Sequence, residues 1–119
     1  MNTRASDAAE TDARTSLVRE LNDGLRTKGV GGRLLTTSGV AALPEQAIMR
    51  IFAAVSTFTD FNADNDPWQE HDCAVMEVDG IRIIWKIDCY DRTLTGGSPD
   101  PSDPDKTCRV LTIMLAEEY

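Results

Sequence analysis

The segment "DNDPWQEHD", Asp64 to Asp72, gathers Asp64, Asp66, Glu70, His71 and Asp72 with no Lys or Arg among them, and it holds the only histidine of the chain. Carboxylates and an imidazole are the donor types of a divalent-cation site. They are also the parts of a general base, because a neighbouring carboxylate fixes the imidazole tautomer. Extended to "DFNADNDPWQEH", the stretch puts Asp60, Asn62, Asp64 and Asp66 on alternate positions of a calcium-loop register. The Glu that should close such a loop is His71, with Glu70 one place early, so an EF-hand is not expected. The same residues also make an acidic turn, since Asp and Asn side chains bond nearby backbone amides and Asp-Pro starts turns.

The elements that must position these groups follow from periodicity. "HDCAVMEV" and "IRIIWKIDCY" flank Asp79-Gly80, a two-residue hairpin signal. This turn sets Val78 opposite Ile81, Met76 opposite Ile83 and Ala74 opposite Trp85 on the core side, with Ile87 beyond them. The open side then pairs Glu77 with Arg82, Val75 with Ile84, Cys73 with Lys86, and His71 with Asp88. In that register His71 reaches Asp88 beside Lys86 at the mouth of the acidic loop. The pair serves as a base or a ligand set, or is one ordinary cross-strand ion pair on a solvated face.

Upstream, Leu17, Leu21 and Leu25 with Val18 make one helical face, with Thr11 or Asp12 as cap and Gly29 as stop. "GGRLLTTSGV" reads as a short strand. "LPEQAIMRIFAAVSTF" reads as a second helix with Ile48, Ile51, Phe52, Val55 and Phe58 inward. "DRTLTGGSPDPSDPDK" is loop. "TCRVLTIML" is apolar on both faces and predicts an inner strand. The expectation is an α+β domain of order αβαβββ, two helices on one face of a mainly antiparallel four-stranded sheet. Residues 1–12 are expected to be a flexible start and residues 13–119 a single domain.

Net charge is −8, of which residues 59–72 supply −5, from five acids and no bases. Phosphate contacts need a basic face, so direct nucleic-acid binding is not expected, and a basic protein surface is the natural partner. No apolar run is long enough to span a membrane. Cys73, Cys89 and Cys108 form neither an even framework nor a CxxC pair, which fits a reduced cytoplasmic setting. Cys73 shares a strand face with His71 and Lys86, a weak pointer to thiol chemistry.

The strings "LNDGLR", "GGRLLTTSGVAALP", "DNDPWQEHD", "WKIDCYD", "SPDPSDP" and "RVLTIMLAEEY" resemble a family of small proteobacterial proteins, often borne on plasmids and other mobile elements and grouped as a domain of unknown function. The resemblance spans Leu21 to Tyr119. It implies no established activity. It implies that Asp64, Asn65, Asp66, Glu70, His71 and Asp72, then Trp85, Lys86, Asp88, Tyr90 and Asp91, are signature positions. Cys73 and Cys89 depart from the aromatic and Tyr common there, which counts against thiol chemistry.

Two functions are expected. The first is a non-enzymatic binding protein without a cofactor, whose acidic face, built from residues 60–72 and 98–105, engages a basic surface. Its binding residues are Asp64, Asn65, Asp66, Glu70, His71, Asp72, Lys86, Asp88, Tyr90, Asp91, Asp100 and Asp103. The mobile-element resemblance makes a host-defence or nucleic-acid-processing protein a target, blocked by a surface that imitates nucleic acid. The alternative is a metal-dependent hydrolase. There Asp64, Asp66, Glu70, His71 and Asp88 are candidate ligands of a divalent ion, and Lys86 stabilises developing charge.

Overall fold

Alanine and other good helix formers dominate the start of the chain, and they carry its first helix much further back than periodicity suggests. The computed structural model describes residues 3–119, with side chains described from residue 8 onward. Helix α1 spans Thr3–Lys28. It passes straight through the caps expected at Thr11 or Asp12, because Ala8, Ala9, Glu10 and Ala13 favour helix without needing a buried face. Of the flexible start expected over residues 1–12, residues 1–2 lie outside the described residues, and the rest is helical.

The inward stripe of α1 also differs from the one expected. Val18, Asn22, Leu25 and Arg26 are buried, while Leu17 is exposed and Leu21 half-buried. Two polar side chains therefore point at the core, and this rotation positions the site described below.

Strand β1 is Arg33–Thr36. A one-turn helix α2, Ser38–Ala41, follows it; it was not anticipated. Pro44 starts α3, Glu45–Thr57, which buries Ala47, Ile51 and Val55. Phe52, expected inside, lies at the surface. Strands β2, Cys73–Val78, and β3, Ile81–Tyr90, form the hairpin in the register set by Asp79-Gly80, with Ala74 opposite Trp85 and Cys73 opposite Lys86. Both turn residues have positive φ, 53° and 78°, as a tight hairpin turn requires. Arg50 of α3 pairs with the Asp79 carboxylate.

Strand β4, Cys108–Leu115, sits between β1 and β3 in the order β1-β4-β3-β2. Its inner place explains why both of its faces are apolar. The sheet is antiparallel except that β1 runs parallel to β4. The fold is thus α+β, with helices over one face. Trp85, with no exposed surface, centres a core of Ile51, Val55, Ile83, Val40 and Ile113.

Candidate functional site

The acidic segment leaves α3 at Phe58 and enters β2 at Cys73. Its own polar side chains shape its first half. Asn62 Oδ1 accepts from the amides of Asp64 and Asn65, and Asn65 Oδ1 accepts from the amide of Asn62. Asn65 Nδ2 donates to Asp60 O at 2.7 Å. These are the interlocked turns expected of Asn and Asp. They engage the oxygen of Asn62 that a calcium loop would have turned toward an ion.

Its second half is bolted to α1. Arg19 donates to Gln69 O at 2.9 Å and Asn22 Nδ2 to Glu70 O at 2.9 Å. Gln69 and His71 hold φ of 58° and 52°, left-handed backbone that costs non-glycine residues on the order of 1 kcal/mol each. The α1 contacts and the Asp66 carboxylate, which accepts the His71 amide at 3.2 Å, hold them there.

That backbone turn overturns the expected His71–Asp88 pair. In an extended strand His71 would project with Cys73 onto the open face. The left-handed turn instead sends the imidazole to the helix side, where it stacks on Phe61 at 3.8 Å and 6°. His71 Nδ1 lies 2.9 Å from Asp23 Oδ1, so the ring N–H donates to that carboxylate, and Nε2 stands 3.6 Å from Asp66 Oδ2. Asp88 takes Lys86 Nζ at 2.5 Å instead, two residues away on its own strand. The hairpin rule still holds for the backbone, since the Ile87 amide donates to Asp72 O at 2.7 Å.

Asp23, Asn22, Arg26 and Arg109 are the site residues that sequence reasoning missed. Arg26 bonds Asp23 at 3.1 Å and stands 5.2 Å from the Phe61 ring centre. Buried Arg109 donates to Asn22 Oδ1 at 2.6 Å and to Pro101 O at 2.5 Å. Because Asn22 also holds Glu70 O, this relay ties the 98–105 loop to the 60–72 loop. The sequence offered no more than polar residues interleaved with apolar ones in "NDGLR" and "CRVL".

The candidate residues divide by what they touch. Asp66 is buried beneath the loop. Asp91 accepts from Thr93 and Thr95, Asp100 from Ser102, and Asp103 caps a single 3-10 turn at Pro104–Lys106. These bonds from Thr95 and Thr93 hold the Asp91 carboxyl below its ordinary range, and the Ser102 bond does the same for Asp100. Tyr90 is half-buried and bridges to Gly97. Asp60 and Asp64 are exposed, Glu70 and Asp72 half-buried. Trp68, between them, is 76% exposed. An open cleft of about 540 Å³, lined by Arg19, Phe61, Asp66 and His71 among others, lies beside it.

Burial, then the charges of Asp72 and Asp66, raise the Glu70 carboxyl above its usual range. Asp72 is raised mainly by burial, with Asp66 and Asp88 adding to it. A carboxyl raised in the folded state adds stability below its unfolded pKa, and that contribution is lost as pH rises through the folded value. At neutral pH these charges therefore oppose folding. The Glu70→Gln/Asp72→Asn variant is expected to be more stable than the parent at pH 7, with the gap closing below about pH 4. Urea unfolding at several pH values checks this; a variant less stable at pH 7 contradicts it.

His71 is committed to Asp23 and Asp88 to Lys86. Among the described residues, no group of three or more His, Cys, Asp or Glu side chains is arranged to hold a metal ion. Loss of solvent around the sulfur, then the Asp72 and Asp66 charges, push the Cys73 thiol up, away from the thiolate a nucleophile needs.

The geometry predicts which pair is coupled. A double-mutant cycle on stability with His71→Ala and Asp23→Ala should give about 0.5–1.5 kcal/mol, and one with His71→Ala and Asp88→Ala close to zero. The reverse order would restore the His71–Asp88 pair that the structure rejects.

A family model described as "Protein of unknown function (DUF3768)" matches residues 36–118. That stretch includes the acidic loop and the hairpin but not α1, which supplies Asn22, Asp23 and Arg26. No curated protein and no solved structure matches the chain.

Proposed function

The chain belongs to the family of proteins of unknown function DUF3768, and from that premise we propose that it is a binding protein whose 60–72 loop engages a basic surface of another macromolecule. The observation that carries this reading is Trp68. It is 76% exposed at a loop that bears Asp60, Asp64, Glu70 and Asp72 and no Lys or Arg. A large indole left in water, in a backbone otherwise bonded down, is the kind of residue that anchors an interface. The carboxylates around it supply steering toward a basic partner. Burial raises the carboxyls of Glu70 and Asp72, so ionising them at this loop carries a stability cost.

The resemblance to mobile-element proteins extends the proposal. The target is then a basic host-defence or nucleic-acid-processing protein in the cytoplasm, blocked by a surface that imitates nucleic acid. No helix among the described residues is long and apolar enough to cross a membrane.

Affinity capture at low and at high salt, with the parent and with Trp68→Ala, tests the proposal. The parent should retain a partner at low salt and release it at high salt, and Trp68→Ala should retain at least tenfold less. Recovery of no partner at either ionic strength by folded protein, or equal recovery by the variant, would refute it.

A further inference from the structure

Strand β2, into which the acidic loop leads, is an edge of the sheet. The hairpin turn decides which of its backbone groups are free. Val78 and Ile81 flank the two-residue turn, so they form a hydrogen-bonded pair, and such pairs recur at every second residue. The bond from the Ile87 amide to Asp72 O continues the same phase. Asp72, Ala74, Met76 and Val78 therefore direct their backbone groups to β3, and Cys73, Val75 and Glu77 direct theirs outward. Among the described residues no backbone bond reaches those outward N–H and C=O groups. All three residues are exposed, so the edge is open to solvent. The strand has no Pro or Lys, common guards of an edge, and Glu77 is its one charge.

A cleft of about 470 Å³ lies beside this edge on the sheet face turned away from the helices. It is lined by Asn65, Cys73, Val75, Ile84, Lys86 and Tyr119 among others. Lys86 is paired with Asp88. Asp64, Asp72 and Glu77 are in no ion pair among the described residues. The open edge thus adjoins a partly apolar recess, and the unpaired charge around it is acidic.

We infer that the partner engaged by the 60–72 loop presents an extended segment that adds to β2 as a further strand, with Lys or Arg beside the loop and an apolar side chain over the cleft. This rests on the reading of the loop as a binding surface. The segment's backbone bonds the outward groups of Cys73, Val75 and Glu77, and its residue opposite Val75 projects on the cleft's side of the sheet. Main-chain bonds supply affinity, while the recess and the carboxylates select the sequence. A second copy of this chain is disfavoured as the occupant. Two-fold pairing of β2 edges would bring together two loops in which residues 59–72 each carry −5.

Titration of the full chain with a fluorescein-labelled peptide of alternating Lys and Val, read by anisotropy and by amide exchange, tests it. The peptide should bind at low salt and weaken roughly tenfold or more at high salt, and a peptide of alternating Glu and Val should not bind. N-methylation of one set of alternate peptide amides should weaken binding roughly tenfold or more, and of the other set about twofold or less, because only one set faces β2. Bound peptide should slow exchange at the Val75 and Glu77 amides roughly tenfold or more, and leave Ala74 and Met76, already bonded to β3, little changed. Equal weakening by the two methylated sets, or unchanged exchange at Val75 and Glu77, overturns strand addition; if Trp68→Ala still weakens that binding, the loop reading stands. Absence of peptide binding at low salt also overturns it, and partner capture with Trp68→Ala then judges the loop reading separately. Protection of Val75 and Glu77 that rises with protein concentration in the absence of peptide would make a second copy the occupant and overturn it too.

Discussion

Arg26→Ala is expected to lower the unfolding free energy by about 3–4 kcal/mol, read by urea denaturation. The end of α3 has no glycine cap, and the chain turns extended at Phe58. Apart from the Phe58 amide, which donates to Val55 O at 3.4 Å, the carbonyls there are served by one guanidinium: Arg26 donates to Val55 O at 3.0 Å, Ser56 O at 3.4 Å and Phe58 O at 2.8 Å. Each buried carbonyl left without a donor costs about 1–3 kcal/mol, and solvent entering the gap recovers part of that. The same side chain stands 5.2 Å from the Trp85 ring centre and holds Asp23 toward His71. Truncation should therefore also loosen the loop, seen as faster amide exchange at Gln69 and Glu70. A loss under 1 kcal/mol would mean that α3 finds its C-terminal partners elsewhere.

Trp85→Ala should cost about 3–5 kcal/mol, the usual range for emptying a fully buried aromatic site. The indole meets Phe58 at 6.0 Å and Phe61 at 6.1 Å, both edge-on. It lies opposite Ala74 on β2 and Ile113 on β4, and the small Ala74 leaves room for it. Trp85→Phe keeps the ring and should lose less than half as much. Because Phe61 carries the stacked His71, the alanine variant should bind any loop partner more weakly even where it remains folded. A stability loss equal in the two variants would show that ring packing at this position is not what holds the core.

These two residues also show how far the sequence was legible. Trp85 was readable because a two-residue turn and strict alternation in "IRIIWKID" leave one register, and a slip would move every side chain to the wrong face. The inner position of β4 was readable for the same reason, from apolar residues on both faces. Arg26 was not readable. Its burial depends on carbonyls of α3 that are distant in sequence, and an arginine on a helix is ordinarily a surface residue. The site failed at one torsion. The alternation that placed Trp85 correctly also placed His71 beside Asp88, and a left-handed φ at His71 breaks it. Nothing local marks a histidine for that conformation, since it is held by Asn22, Asp23 and Asp66. The direction of β1 was hidden too, because a four-residue strand exposed throughout carries no pattern to orient it.

The central claim is that the loop is held rigidly from below by α1 so that Trp68 and its carboxylates face a basic partner. A photo-crosslinking amino acid at position 68, in the full chain expressed in its own cells, tests this most directly. The expected result is a discrete adduct whose cross-linked peptide comes from another macromolecule and is rich in Lys and Arg. The adduct should fade when Asp60 and Asp64 are both changed to Asn. Labelling no stronger than that from the same group at exposed Gln46 on α3 would contradict the account.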